Sequence, residues 1–172
     1  MDDRSTRGFT LIEILIVMVI ISIAVTFAAL SVGGFIKARR VEMAAKELSA
    51  LLPLASQQAI LQPAIIGLQI EPHRYAFYRF VINVNTNKGQ WQKISKDLIL
   101  KPRFLDKNII LSLQLKENIF LANSNQKNNP QIIFLPSGDN TPFILLITNQ
   151  GKPPRFQLSG EGNGNFDLKR VP

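Results

Sequence analysis

The chain has 172 residues, of which 46% are hydrophobic, with 20 Lys or Arg against 12 Asp or Glu, a net charge of +8, one histidine and no cysteine. Without cysteine neither a disulfide framework nor a thiolate metal site can exist. The charge lies towards the carboxyl end: residues 37–172 hold 18 basic against nine acidic side chains, a surface suited to nucleic acid, acidic lipid head groups or an acidic protein partner.

Residues 1–8 are short and polar, with Asp2, Asp3, Arg4 and Arg7. From 14 to 36 there is no charged side chain. At about 1.5 Å per residue this run spans roughly 34 Å, against a hydrocarbon core of about 30 Å, so it predicts one membrane-spanning helix. A cleaved secretory signal usually has an apolar core of about 7–15 residues and no acid, so the run is too long for that reading. Glu13 stands just inside its start, where a carboxylate costs roughly 2.5–3.5 kcal/mol on insertion scales and calls for a partner. Flanking charge does not orient the helix, because Lys37, Arg39 and Arg40 on the far side outnumber Arg4 and Arg7.

Gly33 and Gly34 allow a bend at the end of the apolar run. Beyond them Val41, Ala45, Leu48, Leu52, Ala55 and Ala59 recur at three- and four-residue steps, which predicts an amphipathic helix over 37–62 with its apolar stripe against the following domain. Pro53 removes a hydrogen bond and clashes with the Ser49 carbonyl, so a kink or restart is expected there; Pro63 ends the pattern.

After residue 63 short apolar runs rich in Ile, Val, Phe and Tyr alternate with Asn, Gly, Pro and Lys, which predicts an antiparallel β domain over 63–172. Strands are expected over 64–70, 75–84, 90–94, 109–115, 131–135, 143–148, 155–159 and 165–169. Segments 85–89 and 160–164 have the Asn and Gly content of hairpin turns, and 123–129 is a polar loop. There is no internal repeat.

No catalytic set emerges and no metal or cofactor is expected. His73, between Pro72 and Arg74, reads as an exposed turn residue. Ser137 lacks the Gly-x-Ser-x-Gly frame of a nucleophile elbow, and Asp139 is expected to order the turn backbone. The glycines of 160–164 are followed by no Lys-Ser/Thr pair and no helix, so they form a turn and not a phosphate loop. Tyr75, Phe77, Tyr78, Phe80 and Trp91 interleave with basic residues, as in surfaces that stack nucleic-acid bases. Period-two alternation instead sends Tyr75, Phe77 and Arg79 to one face and Tyr78 and Phe80 to the other, so most of these rings are expected in a core. Lys93, Lys96 and Lys101 fall in a basic segment, 88–107, a candidate partner face.

Gly8-Phe9-Thr10-Leu11-Ile12-Glu13 before a long apolar helix resembles the class III signal of type IV pilins and type II secretion pseudopilins. The resemblance implies a leader over 1–8, cleavage between Gly8 and Phe9 by a prepilin peptidase on the cytoplasmic side, and N-methylation of Phe9. It implies a transmembrane helix over 9–36 and a role for Glu13 in assembly and register, facing the Phe9 amine of a neighbouring subunit. Ala59-Ile60-Leu61 leading through Gly67-Leu68-Gln69-Ile70-Glu71-Pro72 to Tyr75-Ala76-Phe77 and Trp91, and the run Pro130-Gln131-Ile132-Ile133-Phe134-Leu135-Pro136-Ser137-Gly138-Asp139-Asn140-Thr141-Pro142-Phe143, resemble the GspH branch of that superfamily. The implied fold is α+β and pilin-like, a long helix whose second half packs on two antiparallel sheets. The implied function is that of a minor pseudopilin, anchored once in the inner membrane with its carboxyl domain in the periplasm, assembling with other pseudopilins through an inner-membrane platform into a pseudopilus for type II secretion. The alternative is a FimT-like minor pilin that binds DNA during uptake. The tail argues against it, since Asp167-Leu168-Lys169-Arg170 lacks the Gly-Arg-x-Arg type of basic signature.

Overall fold

The structure is a computed structural model that describes residues 10–84, 87–115 and 129–171, without the side chains of 28–37. It divides into two compact units, Met1–Arg39 and Arg40–Pro172. Gly8, Phe9, most of the loop 123–129 and part of the turn 85–89 lie outside the described residues.

One helix, α1 (Leu11–Leu61), contributes to both units. It runs through Pro53 without the expected restart. Pro53 lies on the exposed side of the helix while its neighbours Leu51, Leu52 and Ala55 are buried. Burial therefore holds the helical path, and water can take the carbonyl that the proline leaves without a donor.

Among the described residues of the second unit nine strands form two antiparallel sheets. The first has the order β3 (Lys88–Lys93), β2 (Arg74–Asn83), β1 (Ile66–Glu71), β6 (Ile132–Phe134), with β4 (Arg103–Phe104) also on β2. The second has the order β5 (Ile109–Leu115), β7 (Phe143–Asn149), β8 (Pro154–Gly160), β9 (Phe166–Arg170). Eight strands fall where the apolar runs predict them. The ninth, β4, is a two-residue pair, too short to carry a period, and the sequence reading lacks it.

A single core joins the three layers. Val41, Ala45, Leu48, Leu52, Ala55 and Ala59 of α1 meet Leu68, Tyr75, Phe77 and Phe134 of the first sheet and Phe143, Leu145, Ile147 and Leu158 of the second. Three of the helix residues are fully buried alanines, which let the backbone lie close to the sheets. The tight turn between β1 and β2 ties the sheets together: Leu111 N–H donates to Pro72 O, Leu105 N–H donates to His73 O, and His73 Nδ1 lies 2.8 Å from Ile109 O. His73 is thus an exposed turn residue, as expected, and it also helps to fix the two sheets.

The aromatic expectation needs correcting. Tyr75 and Phe77 enter the core shared with the helix; Tyr78 is buried outside it, and Phe80 and Trp91 are only half-buried. Alternation puts Tyr78 and Phe80 on the other face of β2, where the Phe80 and Trp91 rings meet edge to face at 5.1 Å. Gly89 leaves the room: a Cβ there would stand 2.0 Å from Phe80 Cζ.

Candidate functional site

Thr10 is the last residue before α1, and the helix begins on it. Glu13 N–H donates to Thr10 Oγ1 at 3.3 Å and to Thr10 O at 3.1 Å, and Ile14 N–H donates to the same carbonyl. Thr10 is therefore the N-cap and Glu13 the third helical residue, the Thr-x-x-Glu spacing of a capping box. Glu13 lies in the first turn, where free N–H groups and the helix dipole favour a carboxylate. In the sequence Glu13 stands out by its charge; its spacing to Thr10 is the signal for the cap.

From the cap to Phe27 α1 has no polar side. Its large apolar residues as far as Phe27 are exposed all round in the isolated chain, from 46% at Val17 to 82% at Leu11. A helix of this kind is stable only when something apolar surrounds it. Its two hydroxyls are satisfied internally: Ser22 Oγ donates to Met18 O at 2.7 Å and Thr26 Oγ1 to Ser22 O at 2.8 Å. That removes the penalty of carrying them into an apolar medium. Among the described residues no helix is long and apolar enough to cross a membrane. Of the predicted span, side chains are described only for residues 10–27.

Lys93 ends β3 opposite Tyr78, while Lys96 and Lys101 stand in the connection to β4; all three are exposed. Among the described residues none of the three has an ion pair. The connection is held at both ends. Asp97 Oδ1 accepts the N–H groups of Leu100 and Ile99, and Leu100 is fully buried. The backbone bond from Leu100, then that from Ile99, holds the Asp97 carboxyl below its ordinary range, with Gln58 and Arg79 helping. Arg103 Nε donates to Glu47 Oε1 at 2.5 Å, and its Nη1 donates to Ile99 O. Of the segment's six cations Arg103 is thus spent on structure.

The Ser137 turn is also structural. Ser137 Oγ donates to Asp139 Oδ2 at 2.7 Å and accepts the Asp139 N–H, so Asp139 orders the backbone through the serine. Buried Asn140 joins this turn to the glycine-rich hairpin: its N–H donates to Gly162 O, and its Oδ1 accepts Gly164 N–H. Gly162 (φ 96°) and Gly164 (φ 79°) hold the left-handed backbone that the hairpin needs. The Ser137 turn and the glycine-rich hairpin thus meet at one residue, which sequence spacing could not reveal. Among the described residues no group of three or more acidic or histidine side chains could hold a metal.

A capped, all-round apolar helix leading into an amphipathic half that covers two antiparallel sheets defines a pilin-class subunit. The profile of the prokaryotic N-terminal methylation motif matches residues 3–29. The profile of the type II transport protein GspH matches residues 44–164, and the chain belongs to that family, the minor pseudopilins of type II secretion. Type II secretion system protein H of Pseudomonas aeruginosa is 32% identical over 98% of this chain and 96% of its own length. Its counterpart in Aeromonas hydrophila is 27% identical over 87% of this chain and 84% of its own. The minor pseudopilin EpsH from the type 2 secretion system of Vibrio cholerae shares the fold, with a TM-score of 0.61 at 23% identity over 75% of this chain and 94% of that one. The solution structure of Escherichia coli GspH gives a TM-score of 0.55 at 26% identity, covering 78% and 88%.

Proposed function

We propose that the chain is cleaved between Gly8 and Phe9 by a prepilin peptidase, methylated on Phe9, and held in the inner membrane by the helix over 9–36 with its carboxyl domain in the periplasm. From there an inner-membrane platform moves it into the pseudopilus. The observation that carries this reading is the apolar half of α1, exposed all round and with its hydroxyls already bonded. Lipid surrounds that surface before assembly and neighbouring helices surround it afterwards. Glu13, in the first turn, meets the cationic Phe9 amine of the next subunit, which neutralises two charges in an apolar place and sets the axial register. The relatives are secretion proteins, which favours export over DNA uptake.

Replacing Glu13 by Leu is expected to abolish incorporation into the filament and export of a secreted enzyme, while cleavage and methylation persist by intact mass. Replacing Gly8 blocks cleavage itself. Normal export with Glu13→Leu would remove the assembly role. Lys93, Lys96 and Lys101 form a face that steers an acidic domain of another pseudopilin. Reversing all three to Glu leaves the fold intact and weakens that binding most at low salt, since exposed charges are screened over about 8 Å at physiological ionic strength. Equal affinities at low salt would make the face merely solvated.

A further inference from the structure

On the outer face of the first sheet, β3 and β4 pair with successive stretches of β2, and the edge opens between them at Ala76. Alternation turns Arg74, Ala76 and Tyr78 away from the core, and their cross-strand neighbours Phe104, Gln69 and Lys93 share that face. Together they line a pocket of about 150 Å³, the size of an engineered cavity that holds benzene. Buried Ala76, with only a methyl group to fill it, leaves that room.

The lining selects an occupant. Glu71 is spent, its two oxygens accepting from Arg74 Nε and Nη2 at 2.7 Å each. Arg103 is spent on Glu47 and on the Ile99 and Lys101 carbonyls. Tyr78 Oη donates to Gln69 Oε1 at 2.7 Å, which leaves the Gln69 amide N–H groups as donors. Burial pushes the Tyr78 hydroxyl up, so it keeps that proton. Among the described residues Lys93 is the one charge of the lining without a carboxylate partner. An ammonium beside an amide N–H pair calls for two acceptor oxygens and a single negative charge, which is a carboxylate.

Two observations make that carboxylate a side chain of another protein. Phe104 lines the pocket with its ring 77% exposed, an apolar surface that a small ion cannot cover and a protein surface can. A second copy of this chain has little to offer. Of the nine acidic residues over 37–172, Glu42, Glu47, Glu71, Asp106 and Asp167 each hold a cation, while Asp97 is bonded to backbone N–H groups and Asp139 to Ser137. We infer that the pocket between β3 and β4 seats a Glu or Asp side chain from the acidic domain of another pseudopilin, held by Lys93 and the Gln69 amide with Phe104 packed against its stem. This rests on the lysine face proposed above and divides it: Lys93 binds, whereas Lys96 and Lys101 steer.

The test titrates the full-length chain in detergent micelles with the purified carboxyl domains of the other pseudopilins of its secretion system. Binding is expected to move the resonances of the Gln69 side-chain amide and the Phe104 ring. Lys93→Gln and Phe104→Ala should each lower the affinity about tenfold, and Ala76→Val, which fills the pocket and changes no charge, should lower it as much. Lys93 and Phe104 are exposed, so their variants read binding even where Ala76→Val disturbs the sheet. The loss from Lys93→Gln should persist at high salt, because a seated pair is screened little, whereas the loss from Lys96→Gln should vanish there. A Lys93→Gln loss that vanishes as well makes Lys93 a steering charge and overturns the seat. If reversing Lys96 and Lys101 weakens binding while Lys93→Gln and Phe104→Ala bind like the unaltered chain, the steering face stands and the seat alone is wrong. If no domain binds, face and seat fall together, and resonances that move only with acetate would mark a pocket for free carboxylates.

Discussion

The two halves of α1 share one secondary structure and differ in what surrounds them. As far as Phe27 the helix is apolar on every side and exposed among the described residues; from Val41 it is apolar on one side and that side is buried against two sheets. Helical propensity therefore explains neither half, since a helix in a protein is chiefly stabilised by what it packs against. The first half is built for a medium and the second for a fold, and they should fail by different routes.

Leu52 is fully buried at the centre of the second half. Leu52→Ala should destabilise the carboxyl unit by about 2–5 kcal/mol, through lost transfer energy and the cavity left behind. The fall in the denaturation midpoint measures it. Leu15→Ala in the exposed first half should not move that midpoint. Equal losses from the two changes would mean that the halves are not energetically distinct.

A charge sharpens the same contrast. Val19→Lys puts an ammonium into the apolar half and should cost roughly 2.5–3.5 kcal/mol of insertion, seen as protein released by alkaline extraction of membranes. Ala50→Lys, on the exposed side of the second half, should change stability by no more than about 0.5 kcal/mol and leave insertion untouched. Retention of the Val19→Lys protein in the extracted membrane would argue that a lipid span is not what surrounds this helix.

Much of this division is legible in the residues, because periodicity reports how many sides of an element are buried. The stripe of Val41, Ala45, Leu48 and Leu52 and the alternation of Phe143, Leu145 and Ile147 each emerge as buried positions. What escapes are features decided by tertiary contact. Pro53 reads as a kink or a restart, yet burial of its neighbours carries one helix through it without a restart. Alternation separates Phe80 from Tyr75 and Phe77, but ring content does not say that the face it occupies, with Trp91, is only half-covered. Asn140 is silent in sequence, since its partners Gly162 and Gly164 lie more than 20 residues away. At the candidate site, Glu13 is prominent for its charge, whereas Thr10 is seen as a cap only once the helix start is known.

The smallest expected effect concerns Asp97, which ties the connection carrying Lys96 and Lys101 to the buried Leu100 and, through Gln58, to the second half of α1. Its folded pKa lies below its ordinary value, so between the two the unfolded chain binds more protons than the folded one. The contribution is therefore complete above the unfolded value of about 4 and is lost as pH falls through the folded value. Asp97 is only part-buried, so solvent screening should keep the amount under about 1 kcal/mol. Asp106 is lowered as well, by the Asn108 N–H first and then by Arg40, so the measurement must be a difference between the unaltered chain and Asp97→Asn at each pH. That difference in unfolding free energy should be constant from neutral pH to about pH 5 and shrink below about pH 4. If it persists unchanged into stronger acid, the ionised carboxylate is not what holds this connection, and packing of Leu100 alone fixes the lysines in place.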